Sequence, residues 1–437
     1  MFAPLYTADE MRAAEQGHDV ETMMERAGRG VADAVLHRFP DARRVAAVCG
    51  KGANGGDGRI ALQVLAEAGL EASERLEGAD VVIDALFGTG FHGAPREDAA
   101  ALIEGINTAD APVVAVDLPS GVDASTGEVA GAVVNADVTV TMHAPKVGLA
   151  VAPGRFHAGA VEVVDIGIET GETRNSLVTE EVLALVPRKR ESDTKYSAGT
   201  VLVVGGSPGM SGAVCLATEA AFRADAGYVA VATHPETLPI VEARVLEAVK
   251  ATLQEVDRLA ERASSVAIGP GLGRGDGERA LVARLLREVQ VPAVVDADAL
   301  FELEPDDWPA PRVLTPHSGE LARLLGRDSD WVDAHRLEAV QAAVDRFRCV
   351  VLLKGADTLV AAPAEGVLVS ASGTPALATA GSGDVLTGIV AAFLAKGVDA
   401  RLAAAAGTFA HGRAAELGPE RGLVASDLID ALPDVLA

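Results

Sequence analysis

Val45–Gly69 reads VAAVCGKGANGGDGRIALQVLAEAG. A short apolar run, Val45–Cys49, enters a glycine-rich turn, and from Arg59 the apolar positions recur at helical spacing until Gly69 supplies a stop. Strand, turn and helix in that order form the unit from which parallel sheets are built. The pattern repeats outward along the chain. Val81–Ile83 leads into DALFGTGFHG, Val113–Val116 into DLPSGVDASTG and Val138–Met142 into HAPKVG. A second series follows Arg190: Val201–Val204 opens GGSPGMSGA, Val266–Ile268 opens GPGLG, Ala293–Val295 opens DADAL, Val313–Leu314 opens TPHSGE and Val350–Leu353 opens KGADT. Short buried runs alternating with helices predict an α/β protein with parallel sheets covered by helices. Between the series, Thr170–Asp193 is polar and charged and carries no glycine turn. The boundary is therefore expected near residue 172, giving domains 1–172 and 173–437, and with no extended repeat between them the two are unlike.

The composition narrows what such domains do. Lysine and arginine number 37 and aspartate and glutamate 63, a net charge of −26, which repels nucleic acid and anionic membranes. The chain is 49% hydrophobic, too rich for wholesale disorder, and no apolar stretch reaches the ~18 residues of a membrane span. The N-terminus MFAPLYTADEMRAAE lacks the basic segment and apolar run of a secretory signal. Cys49, Cys215 and Cys349 lie in separate apolar segments, as expected of buried free thiols in a reducing compartment. A soluble cytoplasmic protein with a small-molecule substrate is the expectation. Only seven of the 37 basic residues are lysine, and Lys51, Lys146, Lys195 and Lys354 fall in or beside the motif windows. Such sparing use marks them for specific work.

In open parallel sheets, ligands bind beyond the carboxyl ends of the strands, where all these glycine segments lie. The five glycines of Gly50–Gly58 allow close backbone approach and can offer N–H groups to an anion. The segment matches neither the P-loop nor the dinucleotide fingerprint, and its plainest alternative is a tight turn with Asp57 as a helix cap. Asp84 and Asp117 close apolar runs, with Ser120 three residues beyond Asp117. A carboxylate there suits proton transfer or cation binding, although a single one is more often an ordinary turn residue.

Taken in order, GKGANGGDG, DALFGTGFHGAPRE, VDLPSGVDASTGEV and TMHAPKVGL resemble the NAD(P)H-hydrate epimerases over about residues 1–170, which implies a Rossmann-like α/β/α layer. By position, the resemblance implies that Ala53, Asn54, Gly55, Gly56 and Asp57, the segment Gly88, Thr89, Gly90, Phe91, His92, Gly93 and Ala94, and Asp117 contact the hydrated dinucleotide. It also implies that Asn54, Asp84 and Ser120 bind a potassium ion. One position departs: the first of the family's two loop asparagines is Ala53 here, which touches a substrate contact and spares the ion site. The implied reaction inverts C6 of a nicotinamide ring that has taken up water. Asp117 is the expected acid or base, with Lys146 beside it. The alternative for Lys146 is a solvent-exposed charge.

In the second half, Ala378–Gly388 reads ATAGSGDVLTG, and beyond Asp384 the residues Val385, Leu386, Ile389, Val390, Phe393 and Leu394 keep helical spacing. Gly381, Ser382 and Gly383 then sit at a helix N-terminus, which stabilises developing phosphate charge, and Asp384 lies in its first turn, able to accept a hydroxyl proton. An aspartate there is more often a cap, but the preceding glycines favour catalysis. This segment resembles the ribokinase-like fold. Together with GTVLVVGGSPGMSGA, GPGLG, VDADAL, LTPHSGE and LKGADT, it resembles the ADP- or ATP-dependent NAD(P)H-hydrate dehydratases over about residues 190–437. The resemblance implies that Ala213, Gly271, His317 and Asp384 contact the hydrate, and that Lys354, Gly355, Ala356, Asp357, Thr358 and Gly383 bind the nucleotide. One segment departs: Thr374–Leu377 reads TPAL where the family has Asn-Pro-Gly-Met. The nine histidines show no zinc-ligand spacing.

The combined expectation is a two-domain repair enzyme. One half epimerises the R and S hydrates of NADH and NADPH. The other returns the S form to the reduced cofactor with ADP and Mg2+, by analogy with fused prokaryotic members. Homo-oligomers, with neither nucleic-acid nor membrane partners, complete it. Two alternatives stay open from the residues alone: a ribokinase-like small-molecule kinase that stops at a phosphorylated product, and an N-terminal half that only binds.

Overall fold

The computed structural model describes residues 1–437. The chain divides into two compact units, one of Pro4–Ser176 with Asp333–Arg336, the other of Met1–Ala3, Leu177–Val332 and Leu337–Ala437.

The first unit is built on a six-stranded sheet in the order Glu71–Ser73, Arg44–Cys49, Val81–Ala85, Val113–Val116, Val138–Met142, Ala160–Val164. Every pairing is parallel. Alternation within each strand decides which layer it serves. Val45, Ala47, Val81 and Ile83 join a core with Val31 and Val35 of the helix Val20–Arg38 and with Ala61 and Leu65 of the helix Ala53–Glu67. Val48, Val82 and Val113 face the other way, onto Ile103 and Ile106 of the helix Glu97–Asn107. A three-layer α/β/α unit results, Rossmann-like as expected. From Arg44–Cys49 the chain turns to one side for Glu71–Ser73 and then to the other for Val81–Ala85, so the sheet's switch point lies between Arg44–Cys49 and Val81–Ala85. Clefts open at such points.

The second unit carries an eleven-stranded sheet. Its parallel body runs Val350–Leu353, Arg312–Leu314, Ala293–Val295, Ser265–Ile268, Thr200–Val204, Tyr228–Thr233, Val249–Thr252. Thr358–Ala361 and Leu368–Ser370 add antiparallel strands beyond Val350–Leu353, followed by Asn175–Val178 and Phe2–Leu5. The helix Ser382–Ala395 is buried at every position from Val385 to Ala395, more completely than the amphipathic spacing predicts. It lies in a core shared with the helices Ser211–Arg223, Ala400–Leu417 and Ala425–Val435. No helix is long and apolar enough to cross a membrane. The three cysteines are free thiols; Cys215 and Cys349 are buried, but Cys49 is only half-buried because it reaches a cavity wall.

Candidate active sites

Backbone compression shapes the first site. The helix Ala53–Glu67 starts at Ala53, with Gly52 as its N-cap, so the sequence ANGGDG forms the helix's opening turns and not a loop before it. A β-carbon on Gly55 would lie 2.0 Å from the carbonyl oxygen of Gly50, and one on Gly50 would lie 2.1 Å from that of Leu86. Glycine thus lets the ends of two neighbouring strands and a helix touch. Asp57 falls inside the helix and caps nothing.

Beyond this junction lies a cavity of about 1000 Å³, at the large end for a small-molecule site. Its wall includes Ala53, Asn54, Asp57, Gly88, Thr89, Gly90, Phe91, His92, Ala94, Asp117 and Lys146. Of the other expected residues, Gly55 packs against the backbone of Gly50, Gly56 packs under the Met24 side chain, and Gly93 is an exposed turn glycine with φ +73°. Phe87 and Phe91 stack in the wall, their centroids 4.7 Å apart.

Asp117 holds φ 68°, a conformation costly for a residue with a β-carbon. Its Oδ1 accepts hydrogen bonds from Lys146 Nζ at 2.5 Å and from Thr141 Oγ1 at 3.2 Å. Lys146 is fully buried, so the solvent-exposed alternative falls; its ammonium also donates to the Met142 carbonyl at 2.7 Å and to Thr141 Oγ1 at 3.0 Å. Burial of this pair is tolerable because each partner is hydrogen-bonded as well as paired.

Two further carboxyls share the wall. Burial, then Asp117 and Glu15, push Asp57 up to about 8. Glu15, at the end of the helix Ala8–Glu15, is also raised, by burial and by Asp117. Glu15 escaped the sequence reading because no motif surrounds it, and only the fold brings it to this wall.

The expected potassium residues converge just beneath. Asp84 is fully buried and pushed up to about 6 by burial. It accepts from Ser120 Oγ at 2.7 Å and Ser120 N at 2.7 Å. Asn54 Nδ2 donates to the Phe87 carbonyl at 2.9 Å, and Phe87 N donates to Ser120 Oγ at 2.9 Å. No protein cation meets Asp84. A buried carboxylate, a hydroxyl, an amide and a carbonyl oxygen form an oxygen-rich donor set suited to a hard monovalent cation.

In the second unit, Gly381 takes φ 87° as N-cap of the helix Ser382–Ala395, placing Asp384 in the first turn. Burial and then Asp296 lift Asp384 to about 7, against the pull of Lys354. A β-carbon on Gly383 would lie 3.5 Å from Lys354 Nζ, so the residues expected to bind nucleotide and to transfer the proton meet here. Lys354 Nζ donates to Asp296 Oδ1 at 2.8 Å and lies 3.9 Å from Glu320. Burial works against its charge, but Asp296, Glu320 and Asp384 outweigh that and raise its pKa. Asp296 also accepts from Thr315 Oγ1 and Thr387 Oγ1, each at 2.8 Å. VDADAL and LTPHSGE were legible as motifs, but the joint roles of Asp296, Thr315, Glu320 and Thr387 emerge only when four strand and helix ends meet.

Ala213 and Gly271 are neighbours, since a β-carbon on Gly271 would come within 3.1 Å of that of Ala213. His317 serves as N-cap of the helix Ser318–Leu325: its Nδ1 accepts from Gly319 N at 3.0 Å, which leaves Nε2 as the protonated edge. One nitrogen is thus satisfied as a cap, and the other lies on an exposed edge, 3.5 Å from Glu320 Oε1. Gly355 and Ala356 are exposed, Asp357 is buried, and Thr358 opens the strand Thr358–Ala361.

Two family models match the chain: one described as NAD(P)H-hydrate dehydratase over residues 201–434, the other as YjeF-related protein N-terminus over residues 20–74 and 70–148. A bifunctional NAD(P)H-hydrate repair enzyme of Moorella thermoacetica is 38% identical, covering 98% of this chain and 94% of its own. The chain belongs to the bifunctional NAD(P)H-hydrate repair enzymes. Another member of this family, from Escherichia coli, is 35% identical over 99% of this chain and 94% of its own. The second unit resembles the crystal structure of an ADP/ATP-dependent NAD(P)H-hydrate dehydratase from Bacillus subtilis co-crystallised with ATP and Mg2+, with a TM-score of 0.55 and 30% identity over 59% of this chain and 96% of that one. Full-length agreement with the repair enzymes does not favour the small-molecule kinase with an idle N-terminal module.

Proposed function

We propose that residues 1–172 form an epimerase domain that interconverts the R and S hydrates of NADH and NADPH, and that residues 173–437 form a dehydratase domain that restores the S hydrate to the reduced cofactor with ADP. The observation that carries this reading is the meeting of Asp384, Gly383 and Lys354 at a helix N-terminus. Asp384 removes the proton of the C6 hydroxyl, and the oxygen attacks the terminal phosphorus of ADP, releasing AMP. Lys354 and the backbone N–H groups after Gly381 stabilise the charge of the transferring group. Loss of phosphate from C6 with the proton at C5 then restores the double bond. Mg2+ enters with the nucleotide and neutralises phosphate charge. Ala213, Gly271 and the Nε2 edge of His317 are the proposed hydrate contacts, and Lys354–Thr358 with Gly383 the proposed nucleotide contacts.

In the first domain, Asp117 is the acid or base for the bond broken and remade at C6, and Lys146 holds its charge and orientation. Potassium is proposed at Asn54, Asp84 and Ser120. There it would supply the positive charge that buried Asp84 lacks and firm the turn carrying Phe87 and Gly88. The free thiols favour a cytoplasmic protein. A homo-oligomer is proposed, to be decided by light scattering.

The test follows both NADH-hydrate epimers with ADP, Mg2+ and K+ by recovery of reduced-nicotinamide absorbance. The parent is expected to convert everything, Asp384→Ala nothing, and Asp117→Ala only the S portion above the slow spontaneous exchange. No recovery by the parent with ADP or ATP would end the dehydratase reading.

A further inference from the structure

The first cavity holds a buried carboxyl that the Asp117–Lys146 pair does not use. Asp57 is 8% exposed, lines the cavity, and its Oδ1 has no hydrogen-bond partner. It lies within the helix Ala53–Glu67, so capping does not explain it. The buried lysine of the wall is already engaged by Asp117, Thr141 and Met142. The other titratable groups that face Asp57 across the cavity are Glu15 from the helix Ala8–Glu15 and Cys49 from the strand Arg44–Cys49. Lys51, His92, Arg96 and Asp98 lie on its exposed rim. The helix Val20–Arg38 contributes Val20, Met23, Met24 and Ala27, none of which titrates. Asp84, from the strand Val81–Ala85, is engaged by Ser120. Three carboxyls facing one apolar-walled space with one ammonium cannot all ionise cheaply.

We propose that Asp57, as a carboxylic acid, is a second proton-transferring residue of this cavity, with Glu15 on the same wall as its positioning residue. The proposal rests on the epimerase reading above. Inversion by exchange of the C6 oxygen has two halves. Asp57 gives its proton to the C6 hydroxyl, the C–O bond breaks, water leaves, and the N1 lone pair forms an N1=C6 iminium. A second water then adds to the other face of C6, and its surplus proton passes to Asp117. Bonds and protons balance: one C–O bond breaks, one forms, and one proton moves from Asp57 to Asp117. The opposite epimer runs the sequence backwards, with Asp117 as acid and Asp57 as base. Water in the cavity resets the proton when successive turnovers run one way.

The test supplies the purified R hydrate of NADPH without nucleotide, in water enriched in oxygen-18, and follows the S form and its label by chromatography and mass spectrometry. Asp57→Asn is expected to lower kcat by about a hundredfold or more while the affinity for the hydrate changes less than about threefold, the scale of a lost general acid. Turnover within about tenfold of the parent would overturn the proposal, as would a fall in affinity that accounts for the whole loss. In the parent, inversion without label uptake would overturn the C–O step. Glu15→Gln is expected to move the alkaline limb of the rate profile to lower pH, because a lost negative neighbour lets Asp57 give up its proton sooner; an unmoved limb overturns the role of Glu15. Retained affinity of the variants for the hydrate, with an unchanged unfolding transition of the first unit, checks their folding. If the parent fails to epimerise at all, the epimerase reading has failed. If Asp117→Asn is inactive while Asp57→Asn turns over normally, only this proposal has.

Discussion

Arg312 is 1% exposed on the strand Arg312–Leu314, with no carboxylate beside it. Its guanidinium instead donates to four backbone carbonyls, those of Leu286, Val289, Val291 and Pro311. Two of these lie at the C-terminal end of the helix Asp276–Glu288, where the dipole favours a cation. Burial lowers its pKa to about 10, still high enough to remain charged at neutral pH. Arg312→Met should cost about 2–4 kcal/mol, because the orphaned carbonyls outweigh the desolvation regained; the urea midpoint of the second unit's transition measures it. Asp84 makes the complementary case, an anion with no protein cation. Potassium replaced at constant ionic strength by a bulky organic cation should lower the unfolding temperature. The difference should grow as pH rises through about 6, where Asp84 gives up its proton, and vanish in Asp84→Asn. Residues of this kind differ in legibility. Asp84, Asp117 and Lys146 could be picked from sequence because each follows or closes an apolar run at a glycine-containing turn, and Asp384 because it follows Gly-Ser-Gly at the start of an apolar helical run. Glu15, Asp296 and Thr387 could not, since their chemistry depends on neighbours distant along the chain: Asp117 for Glu15, and Thr315 and Thr387 for Asp296.

At the scale of elements, close approach decides more than propensity. A β-carbon on Gly388 would lie 2.2 Å from the Ala217 carbonyl of the helix Ser211–Arg223. Gly388→Ala should therefore destabilise by about 1–3 kcal/mol, against the usual helix preference for alanine. A β-carbon on Gly277, in the helix Asp276–Glu288, would meet nothing within 4 Å, so the same change there should stabilise by about 0.5 kcal/mol. Opposite signs in parallel chemical denaturation would check the argument; equal signs would break it. The same physics explains where element boundaries were misread. The parallel strands that end at glycine turns announced themselves as apolar runs, whereas Tyr228–Thr233, interior as well, ends without such a turn and was not legible that way. Glu71–Ser73 is a polar edge strand defined by pairing alone. At Ala53 the glycines read as a loop, whereas their missing side chains are what let a helix begin against Gly50.

For the whole molecule, two effects push stability the same way with pH. Asp57, Asp384 and Asp84 are raised to about 8, 7 and 6. Between about pH 4 and these values the folded chain holds protons that the unfolded chain has released, so stability falls as pH rises. The net charge of −26 adds repulsion that also grows as carboxyls ionise. Salt separates them. Moving from about 0.05 to about 0.5 M choline chloride should raise the unfolding temperature at pH 8 by screening the surface repulsion, while the decline from pH 5 to 8 caused by the buried acids should persist. Loss of that decline in high salt would show that surface charge alone produced it.

The order of synthesis gives a different meaning to the strand Phe2–Leu5, whose opening residues belong to the second unit. Its sheet neighbour, Asn175–Val178, leaves the ribosome some 170 residues later. At about 5–20 residues per second that is a wait of roughly 9–35 s. Throughout it, the intervening unit can close while the segment ahead of it stays without a partner. Residues translated well ahead of their partner are thus some of the last to take their places.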